Sequence, residues 1–326
     1  MTITNAVLAI TEHCNSRCAM CNIWRHGARA KDLPASEFSK LPGSLKEINV
    51  SGGEPFLRKD LPAVVQNIKK ACPRAKLVFS TNGLLTKKIV SDMKEILKIF
   101  PNSAVRVSID GMQKTHDKIR GRKGAFKKAL ATLRALEKIR VKDLGVAFTA
   151  QEKNLGEIFK VFSLAERNAW DYSFVLAQSS GFYFRKRNPK IKNLKLLRQE
   201  LEKVIAGQLQ SLNPRNLFRA WYESACLEFA ESGKRVVPCS AASASCFVDA
   251  KGTVWACNVL PVRLGKLGGK IDAKKAKKRF ESCNACFMLC STLPLKKSVL
   301  LPIIGRYFAE KGTGFLKPFV FRIERL

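Results

Sequence analysis

Acidic residues are scarce: 26 Asp and Glu stand against 59 Lys and Arg in 326 residues, a formal net charge of +33. The excess runs along the whole chain. It favours anionic partners such as phosphorylated substrates, nucleic acid or an anionic membrane surface, and it fits solvated helix faces equally well. Long apolar runs are missing too. Those at 299–308 and 314–323 fall short of a membrane span. The start has neither a basic n-region nor a cleavage site, and reads as a first strand rather than a signal peptide. No segment matches a known RNA-binding motif. A disulfide framework is also absent from the pattern: of 11 cysteines, nine crowd into 14–21 and 239–290. Crowding of that kind suits metal-type ligation in a cytoplasmic protein.

The apolar content, 46%, is that of a globular chain with a full core. From residue 6 to about 178, apolar runs alternate with amphipathic helical patterns. Strands are expected at 6–10, 47–50, 76–79, 105–109, 145–149 and 172–177, and helices at 61–71, 87–100, 126–139 and 155–167. Such alternation makes a parallel sheet with right-handed crossovers, an α/β fold. After Gln178 the rhythm breaks into a basic loop, with Arg185, Lys186 and Arg187 beside Phe182, Tyr183 and Phe184. Two helices are expected at 194–212 and 217–231.

The chemistry starts at Cys14, Cys18 and Cys21. Zinc sites and two-cysteine redox motifs use other spacings. Three thiolates on one tight loop fill three corners of a cubane iron-sulfur cluster, and the next cysteine is Cys72. One iron is therefore left open for a small-molecule ligand.

This Cys-x3-Cys-x2-Cys loop after a first strand resembles the radical S-adenosylmethionine (SAM) superfamily. Asn-Val-Ser-Gly-Gly-Glu-Pro at 49–55 resembles its methionine-binding motif, with Gly52 and Gly53 letting backbone approach the ligand and Glu54 meeting an ammonium. Ser80-Thr81-Asn82-Gly83 and Val105 to Gly111 end further strands; the resemblance makes Ser80, Asn82, Ser108 and Asp110 SAM contacts, with the backbone of Met20 facing adenine. The segments 116–121 and 124–126 resemble the peptide- and metabolite-modifying branch.

The resemblance implies a partial (βα)6 barrel over 1–180, a helical bridge over 181–235, a cysteine-rich module over 236–291 and a basic-apolar tail over 292–326. Ligands are expected at the carboxyl ends of the strands. Within the module, Cys239-x12-Gly252-x4-Cys257 and Cys283-x2-Cys286 resemble the SPASM/twitch extension, in which Cys239, Cys257, Cys283 and Cys286 would close one auxiliary [4Fe-4S] cluster. Cys246 and Cys290 are alternates, and a structural zinc is the other reading of these thiols. Asp249-Ala250-Lys251-Gly252 supplies the hairpin turn. Cys226, among apolar residues, reads as a core residue.

The implied activity is reductive cleavage of SAM at a [4Fe-4S] cluster. The resulting 5′-deoxyadenosyl radical takes hydrogen from a substrate, and the auxiliary cluster accepts an electron in a net oxidation. A flavodoxin- or ferredoxin-type donor is implied. The substrate is a small molecule or peptide, anionic by the charge of the chain, such as a phosphorylated sugar or a lipid headgroup. Because the barrel starts close to Met1, a peptide substrate would need a separate carrier. Glu152, Arg120, Tyr183 and Arg185 are candidates for a base, none singled out. The tail, with its aromatics and lysines, is a candidate for peripheral membrane contact. The alternative from another class is an iron-sulfur protein that binds RNA without SAM turnover.

Overall fold

The computed structural model describes residues 2–25, 31–211 and 213–292. The tail expected to meet a membrane, from residue 293 on, lies outside the described residues. Among those described, no helix is long and apolar enough to cross a membrane.

Six βα units build most of a single sheet. Its strands are β1 (Asn5–Ala9), β2 (Glu47–Ser51), β3 (Lys76–Thr81), β4 (Ala104–Ser108), β5 (Asp143–Ala150) and β6 (Asp171–Leu176). Then come β7 (Ser245–Val248), β8 (Thr253–Trp255) and β9 (Arg263–Lys266). The order is β6-β5-β4-β3-β2-β1-β7-β8-β9, parallel from β6 through β7 and antiparallel from β7 to β9. The six expected parallel strands are present within a residue or two. The expected hairpin, β7–β8, does not form a separate layer: β7 lies beside β1, with Cys246 in register with Ala6.

Side chains alternate along the strands as the pleat requires. On β2, Ile48 and Val50 are buried against helices while Glu47, Asn49 and Ser51 face the barrel interior half-buried. The covering helices are α1 (Leu61–Ala71), α2 (Thr86–Ile99), α3 (Gln113–Arg120), α4 (Ala125–Lys138) and α5 (Ile158–Arg167). α1 shows the rule, burying Leu61, Val64, Val65 and Ile68 on one face. Two longer helices, α6 (Leu194–Leu209) and α7 (Pro214–Ser232), pack on each other and on α5 and β6, and α8 (Lys274–Glu281) follows β9.

The amino end of the sheet is held by charge. Arg106 sits opposite Val105 and Val107 on β4, and its Nη2 meets Asp143 and Asp171, each at 2.6 Å. Lys76 adds to Asp143 at 2.6 Å, and Arg219 of α7 adds to Asp171 at 2.6 Å. Arg215 reaches both as well, Asp143 at 3.4 Å and Asp171 at 3.8 Å, so each half-buried carboxylate is shared by three cations, the condition under which such groups are tolerated away from water. The carboxyl end is left to the cysteine loop.

Candidate cluster and SAM site

Leaving β1, the chain crosses the carboxyl edge and runs against the end of β2. Gly53 N donates to Thr11 O at 2.8 Å and Glu54 N donates to His13 O at 2.8 Å. A Cβ at Gly53 would lie 2.1 Å from His13 O, and one at Gly52, where φ is +135°, would lie 2.3 Å from Thr11 O. The two glycines expected to admit a ligand are thus pressed against the backbone that leads to Cys14, an approach only glycine permits.

A second clamp comes from the end of α3. Arg17 N and Ser16 Oγ both donate to Arg120 O at 3.0 Å, Ala19 N donates to Ile119 O at 2.8 Å, and Arg122 Nε donates to Asn15 O at 2.7 Å. Gly121, left-handed at φ +61°, ends the helix; a Cβ there would lie 2.6 Å from Arg17 O. The buried Arg120 side chain then joins two groups. Its Nε meets Asp110 at 2.6 Å and its Nη1 donates to Cys18 Sγ at 3.6 Å, while Ser16 Oγ lies 3.3 Å from the same sulfur.

Burial pushes the Cys14 thiol up to about 12 and the Cys21 thiol up to about 11, against an ordinary value near 9. Metal or cluster binding must therefore drive deprotonation, and Arg120, which lowers Cys21, helps. Cys14 opens on a cavity of about 310 Å³ lined also by His13, Trp24 and Leu57. Among the described residues, no three His, Cys, Asp or Glu side chains are gathered to hold a single metal ion. Three thiols on one clamped loop, with an open side at Cys14 and a fixed cation at Cys18, fit a cluster with one open iron.

Most of the expected SAM contacts sit around this loop. Glu54 is buried; its carboxylate accepts from Asn82 N at 2.7 Å, Thr81 Oγ1 at 2.8 Å and Phe56 N at 3.3 Å. Burial raises its pKa to about 7, with these donors acting against the rise. Asn82 Nδ2 donates to Asn15 Oδ1 at 2.7 Å, and Ser80 Oγ donates to Asn49 Oδ1 at 3.2 Å. Ser108 ends β4 half-buried. Asp110 accepts from Thr149 N at 2.9 Å, and its own N–H donates to His116 Nδ1 at 3.0 Å. His116 is fully buried, and burial followed by the Arg120 charge lowers its pKa to about 3, so the imidazole is neutral. Met20 is half-buried, and its carbonyl accepts from Asn188 Nδ2 at 3.0 Å.

Asn188 belongs to the basic stretch after β6, which straps the two cysteine regions together. Asn22 N donates to Phe184 O at 2.9 Å and Asn22 Nδ2 to Arg185 O at 3.0 Å, while Ser180 Oγ donates to Asn258 O at 3.0 Å, next to Cys257. Between these ties Tyr183 is buried against Phe247, ring centroids 4.6 Å apart. Glu152, a candidate base, instead accepts from Lys192 N at 2.7 Å.

In the second region Cys239, Cys257, Cys283, Cys286 and Cys290 line one hollow, walled also by Val259, Leu260 and Phe280. Cys246 is not among them: it is buried in β7, paired with Ala6. Leu260 N donates to Cys257 Sγ at 3.3 Å. Arg235 organises the far wall. It lies over the Phe287 ring at 4.8 Å and donates to Cys286 O at 2.6 Å, Val237 O at 3.1 Å and Ser291 O at 3.3 Å. Burial raises Cys239, Cys286 and Cys290, and Arg235 pulls each of the three back.

Residues 8–153 match the radical SAM superfamily. Fe-coproporphyrin III synthase of Methanosarcina barkeri is 37% identical over 168 residues, 48% of this chain and 39% of that protein. AdoMet-dependent heme synthase of the same organism is 29% identical over 281 residues, 79% of this chain and 77% of that protein. The first match spans about two fifths of the relative's length. Among solved structures, native anSMEcpe with bound AdoMet and Cp18Cys peptide superposes with a TM-score of 0.62 at 16% identity, covering 90% of this chain and 86% of that one. Streptococcus suis SuiB bound to S-adenosylmethionine gives 0.56 at 16% identity, covering 78% and 60%. At those identities the likeness is one of fold.

Proposed function

The chain belongs to the radical SAM superfamily of enzymes, and on that premise we propose that it oxidises an anionic substrate with the help of an auxiliary cluster. Cys14, Cys18 and Cys21 would hold the SAM-binding [4Fe-4S] cluster, and thiols of the hollow around Cys239 and Cys257 the auxiliary one. When bound, these cofactors supply the electron that splits SAM to the 5′-deoxyadenosyl radical and a sink for the electron left on the substrate.

The chain's own residues set the stage. Gly52, Gly53 and Gly121 keep the loop pressed on β2 and α3, so the thiols hold position when the site is filled. Arg120 offsets thiolate charge at Cys18, and Asp110 holds Arg120. The strap through Tyr183 and Asn188 covers the loop on the β7 side, which limits entry of water to a reactive site. The cavity beside Cys14 is the side on which SAM would enter.

The observation that carries this reading is the buried Asp110–Arg120–Cys18 chain, which spends an ion pair on the outer side of one thiol. Membership of an enzyme family favours turnover over RNA binding. For the substrate, the basic surface and the alignment with heme synthase along 281 residues support a carboxylate-bearing tetrapyrrole before a peptide or a sugar. An acidic flavodoxin- or ferredoxin-type protein would be the donor.

Anaerobic reconstitution with iron and sulfide, then dithionite and SAM, tests the core of the proposal. We expect about eight irons per chain and formation of 5′-deoxyadenosine, faster with a carboxylated iron porphyrin than without it. Intact clusters with no deoxyadenosine would refute SAM cleavage; deoxyadenosine formation that no porphyrin changes would refute only the substrate.

A further inference from the structure

A cubane with an iron at each of four corners takes one protein thiolate per iron, yet five cysteines line the hollow. The fifth is not a stray core residue. Cys246, which is one, sits in β7 away from this wall. The five reach the hollow from three directions. Cys239 follows the irregular stretch after α7, Cys257 follows β8, and Cys283, Cys286 and Cys290 lie on the segment that begins at the end of α8. Within that segment Cys286 is pinned, because Arg235 takes its carbonyl at 2.6 Å. Cys283 lies three residues before it and Cys290 four after, so the two flank a fixed point of the chain. Both line the same hollow as Cys239 and Cys257, which puts the two within reach of the same pair.

We infer that the auxiliary centre has five thiols for four positions, with Cys239, Cys257 and Cys286 fixed and with Cys283 and Cys290 serving alternately at one remaining iron. This rests on the auxiliary-cluster reading and goes beyond it. A corner served by two thiols exchanges its ligand without losing iron, whereas a corner served by one cannot.

The test uses the full chain carrying Cys14→Ala, Cys18→Ala and Cys21→Ala, so that any remaining cluster belongs to the second region. This parent is expected to hold about four irons after reconstitution; a parent with none, or with zinc instead, overturns the auxiliary cluster itself and this inference with it. Given a loaded parent, Cys283→Ala and Cys290→Ala are each expected to keep at least about nine tenths of the iron. Together they should lower it by more than about twofold, and Cys239→Ala alone should do the same. Loss of iron in only one of the two single variants would make that cysteine a fixed ligand and sink the alternation, as would retention in the double variant or in Cys239→Ala. If an alanine variant fails to fold by circular dichroism, the serine variants and Mössbauer spectra decide. An all-thiolate spectrum in both Cys283→Ser and Cys290→Ser is expected. An oxygen-ligated iron amounting to about one quarter of the total in either one overturns the inference.

Discussion

The cysteine loop after β1 and the cysteine hollow beyond β8 each set one arginine among thiols, but the two arginines are held differently. Arg120 is paired with a carboxylate, Asp110 at 2.6 Å, so its charge is balanced before any thiolate forms. Arg235 donates to carbonyl and hydroxyl oxygens of residues 237, 286, 291 and 292 and lies on the Phe287 ring; among the described residues it makes no ion pair. On the proposed assignment, the difference follows ligand count. A three-thiolate cluster with an open iron carries less ligand charge than one closed by four, and the region richer in thiols is the one given a cation without a carboxylate. Buried charge must be paired somewhere. In the loop the pairing is built in, and in the hollow it waits for thiolates.

The largest effect is expected where the comparison is broken outright. Replacing Cys14, Cys18 and Cys21 together by Ala should abolish 5′-deoxyadenosine formation and halve the iron, from about eight to about four per chain; cleavage that survives would move the SAM site elsewhere. Next come the two arginines. Arg120→Met leaves Asp110 buried without its partner, a loss of about 3–5 kcal/mol, and should empty the loop of iron while sparing the hollow. Arg235→Met leaves backbone carbonyls unpaired at about 1–3 kcal/mol each and should do the reverse. Denaturant midpoints with iron counts on each variant read both. A variant that empties both regions would show that the two are one cooperative unit.

Much of the first region is legible in the sequence. Cysteines four and three residues apart are local, and the strand-end motifs announce themselves through glycine after an apolar run. Contacts between distant parts of the chain are not legible. Cys18 and Arg120 are 102 residues apart, and nothing in their spacing discloses that the end of α3 holds the loop, although α3 itself carries a family-like segment at 116–121. The register of Cys246 with Ala6 likewise spans 240 residues, so the sequence could offer Cys246 only as an alternate ligand. The stretch around Arg185 to Asn188 reads as a solvated basic loop because its side chains are largely polar. Its function as a strap rests on main-chain groups and on Asn188, which composition does not reveal.

Smaller effects sharpen the contrast inside the loop. His116 is held neutral, with a pKa near 3 where an unfolded chain has about 6.5, so the native state binds fewer protons. Stability is therefore full above the unfolded value and falls as pH drops from about 6.5 toward 3. By pH 5 the loss is about 2 kcal/mol. His116→Gln should flatten that acid limb in urea titrations at several pH values; an unchanged limb would assign it to other groups. Gly53→Ala forces a Cβ to 2.1 Å from His13 O and should lower stability by about 1–3 kcal/mol and weaken iron binding at the loop. Gly156→Ala, where nothing lies within 4 Å, is the matched control and should leave iron unchanged.

The smallest effect is expected at Cys246, and it separates a cysteine that packs from cysteines that ligate. Its thiol is buried and raised to about 12 by burial alone, with no neighbouring thiol or cation contributing, unlike Cys290, whose equally high value includes Cys257, Cys239 and Arg235 among its causes. A buried thiol of that kind acts as a small apolar side chain. Cys246→Ala should therefore lower stability by only about 1 kcal/mol and leave the iron content at its full value, since the variant removes a buried filler on β7 and no ligand. Iron lost at Cys246→Ala with stability intact would mean that β7 moves its sulfur into the hollow when the cluster is assembled, and the hollow would then draw on six cysteines.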